Sequence, residues 1–163
     1  MLNYIKNIKK LRKEKSFSIC LAESCTGGMI SSKLTSISGS SDFFEGSVIS
    51  YSNDLKIRLL KVPKTTINKY GAVSHQTALS MVKGLRNISR SEILVSVTGV
   101  AGPNGGNSKT PVGCVYFGLG IKIKKKYYYT TIKKIFREKS RKRIQEKSTE
   151  FILKEIIKNL SNI

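Results

Sequence analysis

The feature that most constrains this chain is an apolar strand pattern that breaks abruptly into small polar residues and a glycine pair. Residues 17–23 alternate apolar with smaller or polar side chains, which predicts a strand that ends near Glu23. A helix is predicted over residues 29–37, so the chain turns sharply between the two elements. Ser24 follows at the carboxyl end of the strand. The pattern favours an α/β fold and makes Ser24 a candidate nucleophile.

The glycine pair in this turn has a functional and a structural interpretation. Gly27 and Gly28 have no Cβ, so backbone N–H groups there can approach a phosphate or an oxyanion closely, and the N-terminus of the following helix carries partial positive charge. Thr26 is more hindered than Ser24 and better placed to bind phosphate or ribose. The alternative is a tight turn with incidental hydroxyls, and residues 24–28 alone do not decide between the two.

Two further strand patterns end in a similar way. A strand predicted over residues 46–52 runs into a helix over residues 53–60, and Lys56 lies in the first two turns of that helix. The apolar strand 93–98 empties into a glycine-rich loop, residues 99–106. Ligands of open α/β sheets bind at the carboxyl ends of strands, so these segments are predicted to line one crevice. The alternative for the loop is a plain surface connection, but its glycines make ordering costly in entropy.

The remaining elements predict a single domain. Ser74 is a natural N-cap, and a hairpin is expected at residues 122–126. The complete prediction places helices at residues 2–11, 29–37, 53–60, 63–66, 75–85 and 140–160, and strands at residues 17–23, 46–52, 93–98, 112–121 and 127–136. We therefore predict one α/β domain over residues 1–163, a three-layer sandwich in which helices cover both faces of a mixed, mostly parallel sheet.

Length and composition limit the functional classes. The 163 residues suit one domain, and no apolar run approaches the roughly 20 residues that span a bilayer. Residues 1–15 lack the apolar stretch of a signal peptide, so a cytoplasmic location is expected. Cys20, Cys25 and Cys114 have neither CxxC spacing nor a histidine partner, and we expect no disulfide, no metal site and no cofactor.

The formal net charge of +20 raises the alternative of a nucleic-acid-binding protein. The lysines are scattered from Lys6 to Lys158, however, and the joint excess of Lys, Ile and Asn is what an AT-rich coding sequence produces. The one dense cluster, residues 122–126, precedes tyrosines 127–129, a mixture found in some single-strand binders. The alternating faces of a strand explain it more simply. We expect no membrane partner and no nucleic-acid partner.

The inventory of side chains restricts the catalytic mechanism. The single histidine, His75, is better explained as an exposed first-turn residue beside the Ser74 cap than as a base. A Ser-His-Asp triad is therefore disfavoured. Lysine can act as the base when burial or neighbouring cations lower its pKa. The literal SxxK pattern of Ser80 and Lys83 lies inside an amphipathic helix, where chance spacing is the better explanation.

Six segments of the chain together resemble one known family. They are Ala22–Gly28, Gly39–Ser41, Tyr51–Lys56, Gly71–Ser74, Thr98–Gly106 and Pro111–Gly113. In this order they look like the successive motifs of the CinA C-terminal domain family, the nicotinamide mononucleotide deamidases, also known as competence and damage-inducible proteins. The resemblance covers nearly the whole chain. It implies hydrolysis of the carboxamide of nicotinamide mononucleotide to nicotinic acid mononucleotide and ammonia, a step of pyridine nucleotide salvage.

The resemblance also implies roles for individual residues. Ser24 would be the nucleophile and Lys56 the base, with Tyr51 relaying the proton or orienting the substrate. The residues implied in substrate binding are Thr26, Gly27, Gly28, Ser40, Asn53, Thr98, Gly102, Gly105, Gly106 and Arg141. Two positions depart from the family pattern: Thr110 stands where a lysine commonly precedes Pro-Val-Gly, and Arg141 matches the expected phosphate-facing arginine only with a one-residue insertion. A homodimer is also expected from the resemblance.

Three functions from different classes follow from this sequence. The leading one is a serine amidohydrolase that acts on nicotinamide mononucleotide. The second is a nucleotide-binding protein that has kept the pocket but lost turnover, which the altered segment before Arg141 permits. The third is a basic nucleic-acid-binding protein. Release of ammonia separates the first two, and salt-dependent retention on DNA tests the third.

Overall fold

The structure, a computed structural model, describes residues 1–161 around one five-stranded sheet. The helices are α1 (Leu2–Glu14), α2 (Met29–Leu34), α3 (Asn53–Leu60), α4 (Lys64–Tyr70), α5 (His75–Gly84) and α6 (Arg141–Ser161). The strands are β1 (Ile19–Glu23), β2 (Phe44–Ile49), β3 (Ile93–Gly99), β4 (Cys114–Ile123) and β5 (Lys126–Ile135). Every helix within residues 1–161 falls short of the length or the apolar character that a membrane crossing requires.

The order of strands across the sheet is β2-β1-β3-β4-β5. β1 pairs in parallel with β2 and β3, whereas β4 runs antiparallel to both β3 and β5. All strands except β4 therefore point the same way, as the predicted mixed, mostly parallel sheet requires, and β4 and β5 form the predicted hairpin. The carboxyl ends of β1, β2, β3 and β5 meet at one edge of the sheet, which we call the carboxyl edge. The opposite end is the amino edge.

Helices cover both faces of the sheet, which confirms the predicted three-layer α/β fold. On one face, α1, α2 and α6 pack over a core that includes Leu21, Val95 and Phe117. On the other face, α3, α4 and α5 enclose a smaller core that includes Ala22 and Leu94. Successive strand residues face opposite sides, so neighbours such as Leu21 and Ala22 supply the two cores.

Serine caps begin α3 and α5, two of the helices that start at the carboxyl edge. Ser52 caps α3 and Ser74 caps α5, and each hydroxyl accepts a hydrogen bond of 3.1 Å from a backbone N–H three residues on. Such a cap is worth about 1 kcal/mol to its helix. The buried side chains of α3 are Lys56 and Leu60, one turn apart, so Lys56 lies on the inner face of the helix.

Several predicted boundaries differ from the structure by two to four residues, among them those of α2 and β2. α2 ends at Leu34, three residues earlier than predicted, and the hydroxyl of Thr35 donates to carbonyl oxygens of its last turn. β2 begins and ends two to three residues before its predicted limits. It ends at Ile49 because the next carbonyl, that of Ser50, turns toward the side chain of Lys56.

Candidate active site

One cavity of about 280 Å³ opens at the carboxyl edge. Its walls come from the turn after β1, the start of α3, the loop after β3 and the first residue of α6. Among the side chains that line it are those of Ser24, Tyr51, Asn53, Lys56, Thr98 and Arg141, and the loop contributes Gly102 and Gly105. The structure thus brings together most of the residues predicted for catalysis and binding, around the predicted crevice at the strand ends.

The centre of the cavity is a buried contact between Ser24 and Lys56. Lys56 Nζ lies 3.0 Å from Ser24 Oγ, 2.8 Å from the carbonyl oxygen of Ser50 and 3.2 Å from that of Tyr51. Lys56 is 1% exposed and Ser24 is 7% exposed. The amine therefore has its three hydrogen-bond partners within the protein, and one of them is the candidate nucleophile.

Burial lowers the pKa of Lys56 below its usual value. Its partners are two carbonyl oxygens and a hydroxyl, and none of these carries a negative charge that would retain the proton. When the amine is neutral, its two N–H groups can remain on the carbonyl oxygens of Ser50 and Tyr51. Its lone pair then faces Ser24 Oγ, which is the arrangement that a general base requires.

The turn that carries Ser24 is attached to the sheet on one side and closed by glycines on the other. The Ser24 N–H donates to the carbonyl oxygen of Val97 on β3 at 3.0 Å, and the Gly27 N–H donates to the carbonyl oxygen of Ser24 at 3.1 Å. Gly28 has φ +93°, and a Cβ there would lie 3.0 Å from the side chain of Ile49. Both conformation and space therefore favour glycine in this turn.

Cys25 lies beside the Ser24–Lys56 contact, but its side chain is not activated as a nucleophile. Burial raises the pKa of its thiol to about 12. The thiol is therefore protonated at neutral pH and is a poor nucleophile. The backbone carbonyl oxygen of Cys25 accepts a hydrogen bond of 2.9 Å from Gln145 Nε2 on α6, which connects the turn to that helix.

Arg141 and Tyr51 form the rim of the cavity. Arg141 donates to the carbonyl oxygen of Gly102 at 3.0 Å and to the hydroxyl of Tyr51 at 2.7 Å. The Tyr51 hydroxyl thus contacts Arg141, while only the backbone carbonyl of Tyr51 contacts Lys56. Of the two predicted roles for Tyr51, these contacts favour orienting the substrate over relaying the proton.

The cavity is positively charged. Among the described residues that line it, Lys56 and Arg141 are basic and none is acidic. Thr98 contributes a hydroxyl, which itself donates to the carbonyl oxygen of Ala72 at 2.8 Å. A small anionic ligand is the kind of molecule that such a cavity favours.

Four predicted binding residues lie beside the cavity or away from it. The Thr26 hydroxyl donates to the buried carboxylate of Glu23 at 2.7 Å. Thr26, Gly27 and Gly28 line a separate depression between α2 and α6, and Gly106 lines another depression on the outer side of its loop. These four predicted binding residues therefore do not line the cavity, and the hydroxyl of Thr26 contributes to the shape of the turn.

Ser40 is not part of the cavity. It lies in a 3-10 turn, Ser40–Asp42, just before β2, and Phe43 at the end of this turn pairs with Ile19 at the start of β1. Because β1 and β2 are parallel, this position is at the amino edge, at the opposite end of the strands from Ser24. The prediction of a substrate contact at Ser40 thus places it at the wrong end of the sheet.

The structure adds residues that lie in the motif segments but to which the sequence analysis assigned no role. Ala72, Val73 and Asn104 line the cavity, and Glu23 lies buried beneath the turn that carries Ser24. The sequence pattern that could have drawn attention to Glu23 is an acidic residue placed between an apolar strand and a glycine turn. His75 lies elsewhere, with Nδ1 2.8 Å from the hydroxyl of Thr131, in agreement with its predicted non-catalytic place.

Comparison with known proteins gives the family. The model of the CinA C-terminal domain matches residues 2–160. The chain belongs to the CinA C-terminal domain family. The crystal structure of the competence/damage inducible protein CihA from Agrobacterium tumefaciens superimposes with a TM-score of 0.91 at 32% identity, covering 98% of this chain and 94% of that one.

Two further members of the family are longer proteins. A CinA-like protein of Pseudothermotoga lettingae is 44% identical over 133 residues, which are 80% of this chain and 33% of that protein. A CinA-like protein of Fusobacterium nucleatum is 43% identical over 148 residues, 91% of this chain and 35% of that protein. The chain thus spans about a third of the length of the curated relatives it matches.

Proposed function

We propose that the protein hydrolyses the carboxamide of nicotinamide mononucleotide to nicotinic acid mononucleotide and ammonia. The observation that carries this proposal is the buried contact of 3.0 Å between Lys56 Nζ and Ser24 Oγ, at the wall of a cavity that also contains Arg141. Membership of the CinA C-terminal domain family supports it, because the sequence motifs that resemble this family imply an amidohydrolase. The cavity, at about 280 Å³, has the size of a small-molecule site.

The first half of the reaction forms an acyl-enzyme. Neutral Lys56 takes the proton of the Ser24 hydroxyl while Oγ bonds to the carboxamide carbon. The carbonyl oxygen becomes an oxyanion, which we assign to the backbone N–H of Cys25, the residue after Ser24 that also lines the cavity. The C–N bond then breaks, and the Lys56 ammonium gives its proton to the departing nitrogen, which leaves as ammonia.

The second half releases the acid. Lys56, again neutral, takes a proton from water while the water oxygen bonds to the acyl carbon. The bond between that carbon and Ser24 Oγ breaks, and Lys56 returns the proton to Oγ. The product leaves as nicotinic acid mononucleotide, and its new carboxylic acid gives its proton to solvent. Lys56 thus moves each proton of the bond-making and bond-breaking steps, which is consistent with its contact with Ser24.

The phosphate of the substrate is assigned to Arg141 and the neighbouring loop. Arg141 uses two of its N–H groups on Gly102 and Tyr51, and a guanidinium has five. The remaining donors are available to phosphate oxygens. The same hydrogen bonds hold the guanidinium at the rim, so the arginine is ordered before substrate arrives.

Incubation of the purified protein with nicotinamide mononucleotide tests the proposal. Ammonia and nicotinic acid mononucleotide should appear in equal amounts, and a chelator such as EDTA should leave the rate unchanged, because Ser24 and Lys56 supply the nucleophile and the base. Binding without ammonia release would instead support the nucleotide-binding alternative. Loss of activity on chelation would contradict the mechanism.

Two expectations accompany the proposed function. A cytoplasmic location suits an enzyme of nucleotide salvage, and fractionation of cells that express the protein checks it. A homodimer is expected from the family resemblance. Sedimentation equilibrium should then give about twice the chain mass of 18.1 kDa.

A further inference from the structure

Glu23 is a buried carboxylate that no step of the proposed reaction uses. It is the last residue of β1, it directly precedes Ser24, and it is 0% exposed. It is absent from the residues that line the cavity, and the ion pairs among the described residues do not include it. A buried charge in this position requires hydrogen-bond donors.

Five donors from the turn after Ser24 and from the start of α2 converge on this carboxylate. Oε2 accepts from the hydroxyl of Thr26 at 2.7 Å, the N–H of Gly28 at 3.0 Å and the N–H of Ile30 at 3.2 Å. Oε1 accepts from the N–H and the hydroxyl of Ser31, at 2.9 and 2.5 Å. Hydrogen bonds to a charged acceptor are stronger than neutral ones, so this set gives the turn a defined shape.

The backbone of Ser24 is hydrogen-bonded both to the sheet and to the same turn. Its N–H donates to the carbonyl oxygen of Val97 on β3, and its carbonyl oxygen accepts from the N–H of Gly27. Ser24 therefore lies between the sheet, which accepts the hydrogen bond of its N–H, and a segment whose later residues are hydrogen-bonded to the carboxylate of Glu23. A displacement of about 1 Å at Ser24 would break its contact with Lys56, and misplacements of that size cost about 100-fold in rate.

We propose that Glu23 is a positioning residue whose carboxylate holds the turn of residues 24–31 so that Ser24 Oγ stays within hydrogen-bond distance of Lys56 Nζ. The inference rests on the proposed function only in taking Ser24 as the nucleophile. The identity of the substrate does not enter it.

The substitution Glu23→Gln separates the carboxylate from the shape of the side chain. Glutamine has nearly the same size, but its NH₂ group presents donors where Glu23 presents an acceptor. At least one of the backbone N–H groups of Gly28, Ile30 and Ser31 then faces another donor. The turn thus loses one of its two acceptor oxygens while the apolar cores remain as they are.

Glu92→Gln is the matched control. Glu92 directly precedes β3. Like that of Glu23, its carboxylate accepts hydrogen bonds from a backbone N–H and a hydroxyl, both of Ser18, at 2.9 and 3.1 Å. It lies at the amino edge, beside the start of β3. It tests what the loss of a structural carboxylate does when Ser24 is far away.

The test measures Ser24 directly with a serine-directed fluorophosphonate, together with kcat and KM for nicotinamide mononucleotide and backbone hydrogen exchange. In Glu23→Gln we expect the labelling rate of Ser24 and kcat to fall by about 100-fold, with KM changed by less than about threefold. Exchange at Gly28, Ile30 and Ser31 should accelerate by about tenfold, while exchange in β4 stays as in the wild type. Glu92→Gln should label at the wild-type rate.

Several outcomes would overturn the inference. One is wild-type labelling in Glu23→Gln, and another is exchange that accelerates equally in β4, since the carboxylate would then support the whole fold. If Glu23→Gln does not fold, Glu23→Asp, which keeps the charge but shortens the side chain, must fold and label slowly; failure of both to fold also overturns it. If the wild-type protein is labelled at Ser24 but does not hydrolyse nicotinamide mononucleotide, the proposed substrate is wrong and the role of Glu23 still stands.

Discussion

A serine and a lysine meet at both ends of the parallel strands, but the two ends are built differently. At the carboxyl edge, Lys56 Nζ contacts Ser24 Oγ at 3.0 Å, and its other two partners are carbonyl oxygens. At the amino edge, Ser18 and Lys122 meet through Glu92, which accepts from the Ser18 N–H at 2.9 Å and lies 3.2 Å from Lys122 Nζ. At the carboxyl edge the lysine contacts a hydroxyl, whereas at the amino edge the lysine forms an ion pair with a carboxylate.

Burial and the presence of a carboxylate decide which of these groups is reactive. Lys56 is 1% exposed, whereas the side chains of Lys122 and Glu92 are 30% and 34% exposed. Burial lowers the pKa of Lys56. Burial would raise the pKa of Glu92, but hydrogen bonds from Ser18 and Lys122 together hold it below its usual value. A serine near a lysine is therefore activated only where the lysine can lose its proton.

The largest expected effect is that of removing the nucleophile from the carboxyl edge. Ser24→Ala should lower kcat by at least about 10⁴-fold, because no other hydroxyl within residues 1–161 is hydrogen-bonded to Lys56, while substrate binding and Tm stay near their wild-type values. Ser18→Ala, at the amino edge, should keep its activity. Steady-state kinetics and calorimetry check both variants. Substantial turnover by Ser24→Ala would move the nucleophile elsewhere, with Cys25 and Thr26 the next candidates.

The second effect distinguishes a base from an electrostatic anchor. Lys56→Arg keeps the positive charge but cannot lose its proton at working pH, so it should lose as much kcat as Lys56→Ala, roughly 10²- to 10⁴-fold. Lys122→Arg should retain both activity and its ion pair with Glu92. Rates measured across pH for all three variants decide the matter. An active Lys56→Arg would reduce Lys56 to an anchor for phosphate.

The third effect comes from making the carboxyl edge resemble the amino edge. The wild-type kcat/KM should rise with pH as Lys56 loses its proton. Cys25→Asp places a carboxylate beside Lys56, which favours the ammonium, so the rising limb should move to higher pH by about 1–3 units. Cys25→Asn adds a polar group without the charge and should leave the limb in place. A limb that moves equally in both variants would contradict an electrostatic cause.

The smallest expected effect concerns stability at the amino edge. The folded protein lowers the pKa of Glu92, so this carboxylate stabilises the fold above its unfolded pKa of about 4.5, and the stabilisation is lost as pH falls through the lower folded value. Glu92→Gln should reduce the free energy of unfolding at pH 7 by about 1 kcal/mol, a figure that allows for partial exposure. Urea unfolding should show this difference shrinking below about pH 4. A difference independent of pH would exclude the ion pair as its source.

Much of the architecture could be predicted because it depends on local patterns. The alternation that ends near Glu23, the glycines after Ser24 and the position of Ser74 before a helix act over a few residues, and the structure has the expected strand, turn and cap there. Ser40 shows the limit. Its motif is local, but its distance from the cavity depends on the direction of β2 in the sheet, which pairing with β1 decides.

The sequence by itself determined which groups are available for chemistry: a serine at the end of a strand, a lysine in the first turns of a helix, an arginine at the start of the last helix, and a single histidine at a helix start. Only the tertiary structure decided their reactivity. Ser24 and Lys56 are 32 residues apart, and Tyr51 and Arg141 are 90 apart, so their contacts arise from packing of the sheet against its helices. The pKa of Lys56 depends on the exclusion of water by all of these segments together, a property that no local stretch of sequence contains.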